Sequence, residues 1–143
     1  MAGIRLALSP DLDAPRGMDR ERESEIGRLI EAFYTAGRLD PLLGPIFETH
    51  VSDWDAHFAT MRDFWSSAVD RSGRYAGRPL EAHRGLPDLT PAHFDRWLQL
   101  WETAVDETVR ASETWPFKML ARKMAASMSK RLGVTGDLRK TSP

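Results

Sequence analysis

"LTPAHFDRWLQLWETAVDETV", residues 89–109, brings its large apolar side chains back at intervals of three and four. Phe94, Trp97, Leu98, Trp101 and Val105 then share one face of a helix, while Thr90 followed by Pro91 supplies an N-cap and a first helical residue. The spacing predicts a long amphipathic helix. Working outward, the same period recurs in Ile26, Leu29, Ile30, Phe33 and Tyr34 over residues 20–38, and no stretch alternates with the period of two that a strand requires. The chain therefore reads as all-α.

Further elements follow from caps and stops. In "LDPLLGPIF" (39–47), Asp40 can cap, Pro41 can begin a turn, and Gly44-Pro45 reads as a stop, which predicts one short helical turn. A long helix is expected from "VSDWDAHF" (51–58), capped by Ser52 with Asp53 and Asp55 in its first turn, and ending near Gly73. Its apolar stripe is Trp54, Phe58, Met61, Trp65 and Ala68, with His57 and Phe64 along the adjoining edge. The stretch "PLEAHRGLP" (79–87) has room for about one and a half helical turns between its prolines. A last helix, about 115–132, buries Phe117, Leu120, Met124 and Met128. This gives four substantial helices and two short ones. One domain over 20–132 is expected, between a flexible arm (1–19) and a flexible polar tail (133–143).

Composition bounds the function. The 143 residues include 41% hydrophobic and 29% charged side chains with a net charge of −1, so one core fits and the basic footprint of a nucleic-acid binder is missing. With no cysteine, disulfides, thiolate zinc sites, iron–sulfur clusters and covalent haem attachment are excluded. The start of the chain lacks the apolar run of a signal peptide, and no segment approaches the roughly 20 apolar residues of a membrane span. A cytoplasmic protein with no membrane partner is the expectation. Neither His-Glu-x-x-His nor Gly-x-Ser-x-Gly occurs, which argues against a zinc hydrolase and a serine hydrolase.

Some polar groups exceed what a plain bundle needs. Tyr34, His57 and Trp97 carry donors on or beside apolar faces, where an unpaired polar group costs about 1–3 kcal/mol. Each alone fits an ordinary buried partner; together they suggest a shared acceptor. His83 lies in a fenced segment with Leu80 and Leu86 as its only large apolar neighbours, and reads either as a positioned metal ligand or as an exposed loop histidine. His50 and His93 read as surface or rim residues.

Four ordered blocks carry a resemblance: "FYTAGRLDPLLGPIF" (33–47), "DWDAHFATMRDFWSSAV" (53–69), "GRYAGRPLEAHRGLP" (73–87) and "HFDRWLQLWETAV" (93–105). In these the chain resembles the truncated haemoglobins of the third group. The resemblance implies a globin-like two-over-two helical sandwich around non-covalent haem b, with His83 as the proximal iron ligand. It implies Tyr34, His57 and Trp97 as distal groups stabilising bound oxygen, carbon monoxide or nitric oxide, and Phe47 packing on the haem plane. Phe33, Met61, Leu80, Phe94 and Leu98 are expected to add an apolar sheath, and Arg74, Tyr75 and Arg78 are candidates for the propionates. Oxygen transport, or nitric oxide dioxygenase or peroxidase-like turnover with a partner reductase, would suit such a site in a monomer or weak dimer. The competing reading is a haem-free globin-fold interaction or signalling module. One departure from the family pattern is Gly37, where a bulkier apolar residue is usual, so that helix end is expected to be looser.

Overall fold

The computed structural model describes residues 16–75, 77, 86 and 89–133. Among them every regular element is helical. Helix α1 spans Arg16–Leu39, α2 Gly44–His50, α3 Trp54–Asp70, α4 Pro91–Thr108 and α5 Thr114–Arg131, with a 3-10 turn at Ala111–Glu113 before α5. No helix among the described residues is long and apolar enough to cross a membrane. The short helix expected within 79–87 lies, apart from Leu86, outside the described residues.

The apolar stripes decide the packing. Ile26, Leu29, Ile30, Phe33 and Tyr34 are all buried on one face of α1, which packs against both α3 and α4, while α4 also packs against α5. Two helix pairs, α1 with α3 and α4 with α5, thus close on one core. At its centre Trp101 is 1% exposed and donates its indole N–H to the Phe117 carbonyl at 3.2 Å, so the polar atom of a large buried ring is satisfied. Trp65 stacks on one side of Trp101, with centroids 4.3 Å apart, and Trp97 stacks on it at 5.9 Å with the two rings only 4° from parallel. Full burial of a residue such as Phe33 or Leu29 stabilises the fold by about 1.5–3 kcal/mol.

Two expectations about helix starts are corrected. Gly44-Pro45 opens α2 where a stop was expected, because proline is tolerated where no intrahelical amide is required. Gly44 is needed for closeness: a Cβ there would lie 2.6 Å from the Arg38 carbonyl oxygen. Helix α3 is capped by Asp53, whose carboxylate accepts from the Ala56 N–H at 3.1 Å, and not by Ser52. Its other end comes at Asp70, three residues before Gly73, closed by Arg71 in the left-handed conformation (φ 58°).

Asp40 joins three elements. Its side chain is 2% exposed and accepts from the amides of Leu42 and Leu43 and from Arg96 Nε of α4 at 2.6 Å. Burial alone would raise its pKa, but the Leu43 amide, the Arg96 guanidinium and the Leu42 amide outweigh it and hold the carboxyl below the usual aspartate value. The turn that leads into α2 is thereby tied to α4.

Candidate functional site

A cavity of about 530 Å³ opens between the helix pairs, within the range of roughly 300–1,000 Å³ usual for small-molecule sites. Tyr34 of α1, Phe47 of α2, His57, Met61 and Phe64 of α3, Phe94 and Trp97 of α4, and Met124 and Met128 of α5 all line it, together with Tyr75, Leu86 and Leu89. The walls are largely apolar, built of aromatic, aliphatic and thioether side chains. Such a lining suits a large flat apolar group and would exclude water from whatever it encloses.

On the α1–α3 side a polar pair sits inside an aromatic cage. Tyr34 is 6% exposed, and its hydroxyl lies 2.8 Å from His57 Nε2. Phe33, Phe47, Trp54 and Phe58 surround the tyrosine ring, the first three edge-on and Phe58 stacked. Burial raises the Tyr34 pKa far above its ordinary value, so the group is a neutral hydroxyl that keeps its proton to donate. The Phe47 ring that completes the cage leans on Gly37, where an added Cβ would stand 2.9 Å from Phe47 Cε2. Gly37 therefore makes a close contact, the reverse of the looser helix end expected from the sequence. Room for the Phe47 ring is the physical reason.

Trp97 of α4, which also lines the cavity, is half-buried, stacked on Trp101 and edge-on to Phe33. Its indole N–H has no protein acceptor among the described residues, in contrast to that of Trp101. A half-buried donor beside an apolar cavity is able to serve a ligand atom. The Tyr34–His57 pair and Trp97 thus bring three polar groups to one largely apolar space.

Other expected site residues fall in different positions. Phe33 is 1% exposed and forms part of the core behind Tyr34, and Leu98 packs against the core; neither lines the cavity. Neighbouring residues of a helix point about 100° apart, so a stripe that fills a core covers only part of a cavity wall. Arg74 does not line the cavity either. Its guanidinium donates to both carboxylate oxygens of Glu23 at 2.8 and 3.0 Å and to Asp63 at 3.0 Å. Tyr75 does reach the wall, edge-on to Phe64 at 5.0 Å, and its amide donates to Ser67 Oγ at 3.0 Å. Leu80, His83 and Arg78 lie outside the described residues.

Several lining residues carried no distinguishing signal. Trp65, Met124 and Met128 occupy core-type positions of their helices, and only the meeting of α3 with α5 turns part of each toward the cavity. His50 and His93 also line it, at the last residue of α2 and in the first turn of α4. Among the described residues no group of three His, Asp or Glu side chains is arranged to hold a metal ion unaided. An iron carried in its own macrocycle would need no such group.

No protein-family model matches the chain. Its sequence is similar to that of a group 3 truncated hemoglobin from Campylobacter jejuni subsp. jejuni serotype O:2, with 34% identity over 88 residues that span 59% of this chain and 69% of that protein. Its fold is similar to the crystal structure of the group III truncated hemoglobin from Campylobacter jejuni. There the TM-score is 0.72 and the identity 31%, over 77% of this chain and 90% of that one.

Proposed function

Because the chain belongs to the group 3 truncated hemoglobins, we propose that it holds a non-covalent haem b in the cavity, with His83 as the axial ligand, and binds diatomic gases on the face toward Tyr34. The observation that carries this reading is the joining of apolar walls to a small set of polar groups: the Tyr34–His57 pair at 2.8 Å and the Trp97 indole N–H. Aromatic walls fit a flat macrocycle, and a neutral tyrosine fits a ligand that needs a hydrogen-bond donor.

A haem bound there and held through His83 would supply an iron able to bind oxygen, carbon monoxide or nitric oxide. The residues of the chain do the rest. Tyr34 and Trp97 donate to the atom that gains charge, in a space where low dielectric strengthens each hydrogen bond. His57 orients the Tyr34 hydroxyl through its Nε2 contact. Phe47, Met61 and Phe94 exclude water and so slow oxidation of the iron. Donors that hold oxygen also polarise an O–O bond, so with a partner reductase the same residues serve nitric oxide dioxygenase or peroxidase-like turnover as well as reversible carriage.

The test is an absorption spectrum of the purified protein with hemin, reduced, before and after carbon monoxide. A strong Soret band that shifts with carbon monoxide is expected, and His83→Ala should lose the spectrum of histidine coordination while the apo-protein keeps its helicity. A colourless protein that hemin does not titrate overturns the haem reading in favour of a haem-free module. Unchanged axial coordination in His83→Ala overturns the ligand assignment alone.

A further inference from the structure

Among the described residues the cavity lining contains no lysine and no arginine; its basic side chains are His50, His57 and His93, against one carboxylate, Asp53. A haem carries two propionates, and anionic groups at the edge of an apolar site need donors. Arg74, in the described loop after α3, already has its guanidinium on Glu23 and Asp63. His57 contacts Tyr34, and His50 is exposed at the end of α2.

His93 is in a different condition. The Thr90 N–H donates to its Nδ1 at 3.0 Å, and the Thr90 hydroxyl lies 2.9 Å from the same nitrogen. This is the reciprocal capping box of α4, with histidine where glutamate or glutamine is usual. A neutral imidazole has one acceptor and one donor nitrogen, so a cap that uses Nδ1 as acceptor fixes the proton on Nε2. That N–H has no protein acceptor among the described residues, and the residue is half-buried at the cavity wall. The cap also holds the ring in one orientation, which lowers the cost of using it for binding.

We propose that His93 is a carboxylate-binding residue of the cavity, donating Nε2–H to a propionate of the bound haem while Thr90 holds the ring through Nδ1. This rests on the haem reading above. Its specific claim is that one histidine serves both as helix cap and as anion donor.

The two roles separate by substitution, because glutamate at this position keeps the capping box and removes the donor, whereas glutamine keeps both. The measurement is the rate at which hemin, and separately hemin dimethyl ester, transfers from the holo-protein to excess apomyoglobin, with thermal unfolding of the hemin-free proteins as control. H93E should release hemin about tenfold faster than the unaltered protein, and H93Q within about threefold of it, at similar unfolding temperatures. With the ester the difference between H93E and the unaltered protein should vanish. His93→Leu gives a second reading should the acidic variant fold poorly: its release rates for hemin and for the ester should converge. Equal hemin release from H93E and the unaltered protein, or a difference that persists with the ester, overturns the proposal and leaves the haem reading standing. If neither hemin nor its ester gives a Soret band with the unaltered protein, both fall.

Discussion

Two parts of the cavity rim are built in opposite ways. Around α1 the wall is backed by a mesh of buried and half-buried rings, where Phe33 alone lies edge-on to Tyr34, Phe47, Trp97 and Trp101. After α3 the rim is a loop fastened by polar contacts, its ion pairs exposed. Arg74, with 43% of its side chain accessible, bridges Glu23 and Asp63, while Ser72 shares a 2.6 Å hydrogen bond with Ser66. Buried rings are held by packing that salt does not touch, whereas exposed ion pairs are weak and screened. One side of the site is thus rigid by construction and the other responds to its medium.

Truncating the mesh should have the largest effect. Phe33→Ala removes the ring on which four others lean and should cost about 3–5 kcal/mol in urea unfolding. A loss below about 1 kcal/mol would mean that the wall is not held by packing. Next comes Gly37→Leu, which drives a side chain into Phe47 and should cost about 1–3 kcal/mol with an altered near-ultraviolet circular dichroism. A stabilised Gly37→Leu protein would show that the cage has slack.

Asp40 offers an intermediate effect with a sign that pH reveals. Because its folded pKa lies below the unfolded value of about 3.9, its contribution is fully present above that value and is lost as pH falls through the folded one. Asp40→Asn should cost about 1–2 kcal/mol at neutral pH, as the loss of a capping carboxylate does, and the gap should narrow as the medium is acidified below about pH 4. Unfolding midpoints measured from pH 3 to 7 decide it, and a constant gap would remove Asp40 from the account. The smallest effect belongs to the loop. Arg74→Gln should cost no more than about 1 kcal/mol, and that difference should disappear near 1 M salt, where the screening length is about 3 Å. A larger cost that survives salt would make the loop resemble the wall.

Legibility in the sequence follows the same division. The α1 stripe from Ile26 to Tyr34 and the α4 face from Phe94 to Val105 are readable because periodic burial is a property of one helix at a time. What lies between helices is harder to read. The Gly37–Phe47 contact joins residues ten apart across a turn, and nothing in either residue type announces it. Gly44-Pro45 carries the residues of a stop and of a start alike, and only the approach of Gly44 to the Arg38 carbonyl distinguishes them. Tyr34 and Trp97 were visible as donors on apolar faces, but Phe33 and Leu98 share the same chemistry and turn to the core. His93 reads as a rim residue and lies at the cavity wall, but its cap on Thr90 depends on a ring orientation that spacing does not encode.

The stack of Trp65, Trp101 and Trp97 runs from the core to the cavity wall, with each neighbouring pair of rings stacked within 6 Å. Indoles so close exchange excitation, and any group in the cavity that absorbs in the near ultraviolet will drain their emission by energy transfer. Intrinsic fluorescence is therefore a built-in occupancy gauge, able to follow filling and emptying of the cavity in real time without a label.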